Sequence, residues 1–197
     1  MSVRLKRALD FAKDIVKGII EDGDIVVDCT AGNGKDTLFL AELVGTRGKV
    51  YAFDIQNVAI ENTRKALIDK GFIDRVTLIC DGHEHILKYV RDKITCAVFN
   101  LGYLPGGNRN IITVPDKVIK AIKSCLELLL PGGIISIVSY TGHPGGKEEL
   151  EAIIQFLKTL DQKKYAVANY RFLNQKNDPP QLIIIEKGRG ERNWQQY

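Results

Sequence analysis

Five short apolar runs alternate with stretches of helical periodicity between residues 25 and 158: Ile25–Val27, Lys49–Phe53, Val76–Cys80, Thr95–Phe99 and Ile134–Ser139. Short β-branched and aromatic runs of this kind read as strands buried on both faces. The helices between them supply the crossovers that parallel pairing requires, and right-handed crossovers place helices on both sides of one sheet. The expected fold is therefore α/β, a doubly wound and mostly parallel sheet. Two further strands, about Tyr165–Arg171 and Leu182–Glu186, follow one another with no helix between them, so they pair antiparallel. That makes a seven-stranded sheet with an antiparallel last strand.

The helices are marked by their apolar stripes. Leu5, Ala8, Leu9, Ala12, Val16 and Ile19 recur at helical steps over residues 2–20. Helices follow over Lys35–Leu43, Val58–Asp69 and, briefly, Glu84–Val90. Pro115 opens the clearest one, with Val118, Ala121, Ile122, Cys125, Leu126 and Leu129 on one face, and Pro131-Gly132-Gly133 is expected to stop it. Leu150, Ile153, Ile154 and Leu157 mark the last.

Composition sets limits on the class. A chain of 197 residues, 45% of them hydrophobic, buries roughly 70% of its unfolded surface and needs no disulfide or metal staple. One domain over 1–197 is expected, with an N-terminal helix within 1–22 and a polar tail over 188–197. No apolar run approaches the roughly 20 residues of a membrane span, and the charged N-terminus shows no apolar leader. The net charge of +4 permits a nucleic-acid partner without requiring one. Cys29, Cys80, Cys96 and Cys125 form no CxxC pair and read as small buried hydrophobes in a reducing, cytoplasmic setting. His83, His85 and His143 lack zinc-site spacing, so no metal is expected.

Doubly wound sheets bind ligands at the carboxyl ends of their strands, near the switch in strand order. Five polar or glycine-rich segments follow expected strands: Asp28–Thr37, Asp54–Gln56, Asp81–His83, Asn100–Asn110 and Tyr140–Gly146. Gly32-Asn33-Gly34 resembles the start of a dinucleotide fingerprint, but Thr37 stands where the third glycine belongs. Asp28 and Asp36 beside that loop would repel a pyrophosphate, which seeks a helix N-terminus. S-adenosylmethionine carries no phosphate but an ammonium and a sulfonium, which these carboxylates attract. Asp54, 20 residues after Gly34, has the spacing of a ribose-diol acceptor, and Asp81 is placed to accept from an adenine amino group. The expected cofactor set is Asp28, Thr30, Gly32, Asn33, Gly34, Asp36, Thr37, Asp54, Ile55, Gln56, Asp81, Gly82, His83, Asn100, Leu101 and Gly102. A nicotinamide coenzyme and a binding module without catalysis stay open as alternatives.

D-C-T-A-G-N-G-K-D-T (28–37) resembles the D-A-T-x-G-x-G-x-D-T motif of a small bacterial methyltransferase family, with Cys29 where that family commonly has Ala. Its members, long labelled rRNA methylases, are now associated with methylation of the aminomethyl group of 5-aminomethyl-2-thiouridine at the tRNA wobble position. N-L-G-Y-L-P-G-G-N-R-N (100–110), S-Y-T-G-H-P-G-G-K-E-E (139–149) and N-D-P-P-Q-L-I-I-I-E-K (177–187) agree with it, so the likeness runs from Asp28 to Lys187. The resemblance implies a Rossmann-like class I methyltransferase fold, S-adenosylmethionine and an RNA substrate, with the tRNA anticodon loop as partner. It also implies a homodimer; separately, the aromatic tail Trp194–Tyr197 is a candidate to pack on a partner. An rRNA or small-amine acceptor, and a non-catalytic module, remain open.

Methyl transfer to an amine needs alignment and a free lone pair. Asn100 follows the fourth strand, where related amino methyltransferases carry [N/D]-P-P-[Y/F/W]; here the segment reads Asn100-Leu101-Gly102-Tyr103. Asn100 is expected to orient the acceptor amine, Tyr103 to stack on the base and His143 to take the proton, its ordinary pKa of roughly 6.5 suiting that role. A loop cap, a core-edge aromatic and a loop-structural or phosphate-binding histidine are their bland counterparts. His83 is read as a pocket wall and His85 as exposed. Pro105, Arg109, Tyr140, Gly145 and Gly146 complete the expected acceptor side. Arg109, Lys117, Lys120 and Lys147 either contact RNA phosphates or form solvated faces. Asp178-Pro179-Pro180 imitates the D-P-P motif but precedes a late strand, so it is read as a turn near the pocket rim.

Overall fold

Neighbouring residues along a strand point to opposite faces of a sheet, and the central strands here are apolar on both. The computed structural model describes residues 5–102 and 113–190. Its elements in chain order are α1 (Ala8–Lys17), β1 (Ile25–Asp28), α2 (Lys35–Leu43), β2 (Lys49–Phe53), α3 (Asn57–Lys70), β3 (Val76–Ile79), α4 (Ile86–Tyr89), β4 (Ile94–Leu101), α5 (Pro115–Leu128), β5 (Leu129–Ser139), α6 (Gly146–Leu157), β6 (Tyr165–Tyr170) and β7 (Gln181–Lys187). The sheet order is β3-β2-β1-β4-β5-β7-β6. β1 to β5 pair parallel, and β7 runs antiparallel to both β5 and β6, as expected.

Two cores sandwich the sheet. Val27, Phe53, Ala97, Phe99 and Ile135 meet α4, α5 and α6 on one face. Val26, Val50, Cys96, Val98 and Ile134 meet α1, α2 and α3 on the other. α1 also covers Val138 and Leu182 through Ala8 and Ala12. The N-terminal helix of 2–20 proves to span Ala8–Lys17 among the described residues, ending at Gly18. Among those residues no helix is long and apolar enough to cross a membrane.

Pro131-Gly132-Gly133 does not stop α5. The helix ends at Leu128, and the three residues lie inside β5. Ile94 pairs with Leu129 and Cys96 with Ile134, so the strand bulges there. Gly132 has φ of 83°, and a Cβ on Gly133 would lie 2.7 Å from the Thr95 carbonyl oxygen; only glycines fit that passage. Cys80 also departs from expectation. Cys29, Cys96 and Cys125 are buried, but Cys80 is exposed, because it stands one residue beyond β3 where the sheet opens.

Ile137 sits mid-sheet, fully buried, paired with Phe99 on one side and Ile183 on the other. Ile137→Ala is expected to cost about 2–5 kcal/mol, read from urea denaturation, because the cavity cannot close between two paired strands.

Candidate active site

The chain leaves β1 toward β2 and leaves β4 toward β5, so the loops after these adjacent strands diverge. A cavity of about 380 Å³ opens between them. Its floor is Cys29 to Asn33 with Lys35 and Asp36. Asp54, Ile55, Gln56, Asp81, His83 and Glu84 form one wall. Asn100, Gly102, Thr113, Val114, Lys117 and Tyr140 form the other, completed by Leu9 and Lys13 of α1.

Asp28 braces this floor from below. Its Oδ1 accepts the Thr30 N–H at 3.0 Å and its Oδ2 the Thr37 hydroxyl at 2.6 Å. It is wholly buried, and burial, with the nearby Asp36 charge, raises its carboxyl to about 7. Neither Asp28 nor Thr37 lines the cavity, which corrects the expectation that both meet the cofactor: Thr37 gives its hydroxyl to Asp28, and Asp28 gives its oxygens to Thr37 and Thr30, beneath the loop. Gly34 also lies off the cavity wall. Its φ is 80°, and a Cβ there would come within 3.0 Å of Thr63, so α3 packs directly on the loop. Thr63 donates to the Gly32 carbonyl at 3.1 Å, and Asn62 to the Asn33 side chain at 3.2 Å.

Asp54 is fixed from two sides, by the Gly32 N–H at 3.0 Å and the Gln56 N–H at 2.9 Å. Each oxygen keeps a second acceptor position. Asp81 accepts from His85 Nδ1 at 2.9 Å, the Tyr89 hydroxyl at 2.9 Å and the Gly82 N–H at 2.7 Å. These bonds, that of His85 foremost, hold it down at about 2, so it is ionised. His85 is therefore a half-buried partner of Asp81 and not the exposed residue expected. His83 is a wall, as expected. Its Nδ1 lies 3.1 Å from the Cys29 carbonyl, its ring meets Phe99 edge-on, and burial lowers its pKa. Gly82 lies behind the wall; a Cβ there would strike Glu84, which pairs with Lys117 at 2.8 Å.

On the opposite wall, the Asn100 N–H donates to Thr30 Oγ1 at 2.7 Å. Its Nδ2 donates to Asp36 Oδ2, while Asp36 Oδ1 lies 3.2 Å from Lys13 Nζ. Asn100 Oδ1 is buried with no hydrogen-bond partner among the described residues. An unmatched buried acceptor costs about 1–3 kcal/mol, and because Asn100 lines the cavity its amide is a candidate partner for a ligand N–H. Burial, then the Asp36 charge, raises the Tyr140 phenol, which stays a donor.

His143 does not line the cavity. Its Nδ1 lies 3.0 Å from the Pro144 carbonyl, and a Cβ on Gly146 would come within 2.9 Å of its Nε2. The ring thus packs under the start of α6, with Gly145 and Gly146, and behind Gly102 of the cavity wall, where a Cβ would lie 3.9 Å from its Nε2. Leu101 is core. Tyr103, Pro105 and Arg109, and the tail Trp194–Tyr197, lie outside the described residues. Lys147 pairs with Asp178 at 2.7 Å, and Asn177 and Asp178 have φ of 67° and 45°, a turn against α6. Sequence reasoning missed Leu9, Lys13, Cys29, Ala31, Lys35, Glu84, Thr113 and Val114 as lining. Glu84 carried a signal, two residues past Gly82; Leu9 and Lys13 read only as parts of an amphipathic helix.

The match to known proteins follows this geometry. Residues 50–186 fit the family model described as putative rRNA methylase. A protein from Arabidopsis thaliana, named a chloroplastic tRNA (mnm(5)s(2)U34)-methyltransferase, is 37% identical over 193 residues, covering 92% of this chain and 70% of that protein. A crystal structure of a putative rRNA methylase from Clostridium thermocellum is 49% identical with a TM-score of 0.92, over 94% of this chain and 100% of that one. A putative methyltransferase from Streptococcus mutans, solved with S-adenosylhomocysteine, is 43% identical with a TM-score of 0.86, over 93% and 99%.

Fold and cleft together define a Rossmann-like, S-adenosylmethionine-dependent methyltransferase. Within that class the chain belongs to the putative rRNA methylase family. The residues present fit the cofactor. The cavity volume is that of a small-molecule site. Asp36, Asp54 and Asp81 give it negative charge, and Asp54 keeps acceptor positions suited to a diol.

The raised Asp28 carboxyl sets a pH dependence of stability. Between the ordinary value of 3.8 and about 7 the folded state holds the proton more tightly than the unfolded one. Stability from this group therefore falls as pH rises through that window, by at most about 1.4 kcal/mol per pH unit. Asp28→Asn keeps the acceptor for Thr30 and removes the titration. Its urea midpoint is expected to gain on the wild type's steadily from pH 4 to pH 7.

Proposed function

We propose that this chain methylates the exocyclic aminomethyl nitrogen of a modified wobble uridine in tRNA. The observation that carries the reading is Asn100 on the cavity wall, its buried Oδ1 without a hydrogen-bond partner among the described residues. It suits an acceptor that brings an N–H, and the name of the Arabidopsis relative supports a wobble-uridine amine. When bound, S-adenosylmethionine supplies a methyl group on a sulfonium, open to in-line attack.

The chain's own residues then have three tasks. Asp54 and Asp81 fix the cofactor's ribose and adenine edges. Asn100 accepts an N–H of the amine and so aims its lone pair along the attack line. A neutral amide does this without the preference for an ammonium that a carboxylate would impose, and the apolar Leu9, Ala31 and Val114 disfavour the charged amine by desolvation. A single-stranded anticodon loop can splay its base into such a cleft without melting a duplex. Lys35 at the cavity edge and Lys120 on α5 are exposed and positioned for backbone phosphates, whereas Lys117 and Lys147 are held by Glu84 and Asp178.

Purified protein with radiolabelled S-adenosylmethionine is expected to label tRNA that lacks the wobble methyl group, and to spare fully modified tRNA and rRNA. Labelling of rRNA alone, or of no RNA, overturns the reading. Asp54→Ala is expected to weaken S-adenosylhomocysteine binding by roughly 10- to 100-fold in calorimetry, the loss of charge-assisted hydrogen bonds worth about 1.5–3 kcal/mol.

A further inference from the structure

We infer that Lys13, on the helix that precedes the sheet, is a positioning residue of the methyl-transfer site: it fixes Asp36, and Asp36 fixes the amide of Asn100. The inference rests on the acceptor-orienting role given to Asn100 above. It reaches into α1, which lies wholly outside the span 50–186 matched by the family model.

A side-chain amide has two unlike ends, and rotation by half a turn exchanges a donor for an acceptor. Aligning an amine lone pair requires the oxygen end toward the substrate. Here the Asn100 backbone is tied by its N–H to Thr30, and its Nδ2 is tied to Asp36 Oδ2. With the donor end committed to a carboxylate, Oδ1 is left as the acceptor end, without a partner among the described residues. The orientation of Asn100 is therefore as good as the position of Asp36.

Asp36 does not hold that position unaided. It stands at the start of α2 near Asp28 and Asp54, three carboxylates around one glycine loop. Lys13 Nζ, 3.2 Å from Asp36 Oδ1, balances that charge on the side away from Asn100. The ammonium also lies 5.3 Å from the Phe39 ring centroid, which restrains it further. With 37% of its side chain exposed, Lys13 forms an ion pair that adds little to stability. Its removal leaves the fold in place and frees Asp36, and with it the amide.

The test reads the amide and the turnover separately. In the S-adenosylhomocysteine complex, the Asn100 side-chain NH₂ resonances, assigned by their loss in Asn100→Ser, are expected to be well dispersed and slow to exchange. Lys13→Ala is expected to collapse that dispersion. It is also expected to lower kcat on undermethylated tRNA about tenfold, with KM for S-adenosylmethionine within about twofold. Lys13→Arg restores both. In an Asp36→Asn background Lys13→Ala adds nothing, since the charge it balances is gone. Unchanged Asn100 resonances in Lys13→Ala overturn the inference. So does a raised KM at constant kcat, or additive losses with Asp36→Asn, as a simple anchor of α1 would give. If the wild type labels no tRNA, the wobble-uridine reading falls, and the amide resonances still decide the role of Lys13.

Discussion

The site depends on one buried carboxylate. Asp28 ends β1, an interior strand beside the central β4, and takes a backbone N–H from Thr30 and a hydroxyl from Thr37. Those two bonds tie the end of a strand to the first turn of α2 across the glycine loop. Thr30 in turn accepts the N–H of Asn100, so the brace extends to the end of β4. An ionised carboxylate in a dry place is costly, and the raised value near 7 is the measure of it. The loop keeps the group because its donors would otherwise be the unmatched ones.

Charge around the cleft is arranged in pairs rather than as a uniform field. Asp36 faces Lys13, Glu84 faces Lys117, and Asp81 is held by His85 and Tyr89. Among the described residues, the donors to Asp54 are the backbone N–H groups of Gly32 and Gln56. A sulfonium or a ribose diol therefore meets different chemistry on each wall, although both walls carry acids.

Much of the fold was legible because its signals are local. The run at β1, the helix Lys35–Leu43 and Pro115 at the start of α5 each reflect backbone chemistry confined to a few residues. The bulge in β5 was not legible: Pro131-Gly132-Gly133 is ordinary helix-stopping sequence, and only the pairing of Cys96 with Ile134 makes it part of a strand. In the site, Asp36, Asp54, Asp81 and Asn100 were found by their places after strands. His85 and Cys80 were misread because exposure at a strand end depends on what packs over it.

The sequence alone determined the sheet, its parallel sense, the placement of polar loops at strand ends and the family, since these follow from periodicity, turn chemistry and motif blocks. Tertiary structure decided which polar groups face the ligand. Asp28 and Asp36 look alike in the chain, eight residues apart on either side of the same loop. One is turned under it and the other onto the cavity wall beside Asn100 and Lys13. Asp28 takes its partners, Thr30 and Thr37, from within the loop and the first turn of α2, whereas Asp36 meets Asn100 from 64 residues further on, a contact that no local pattern encodes.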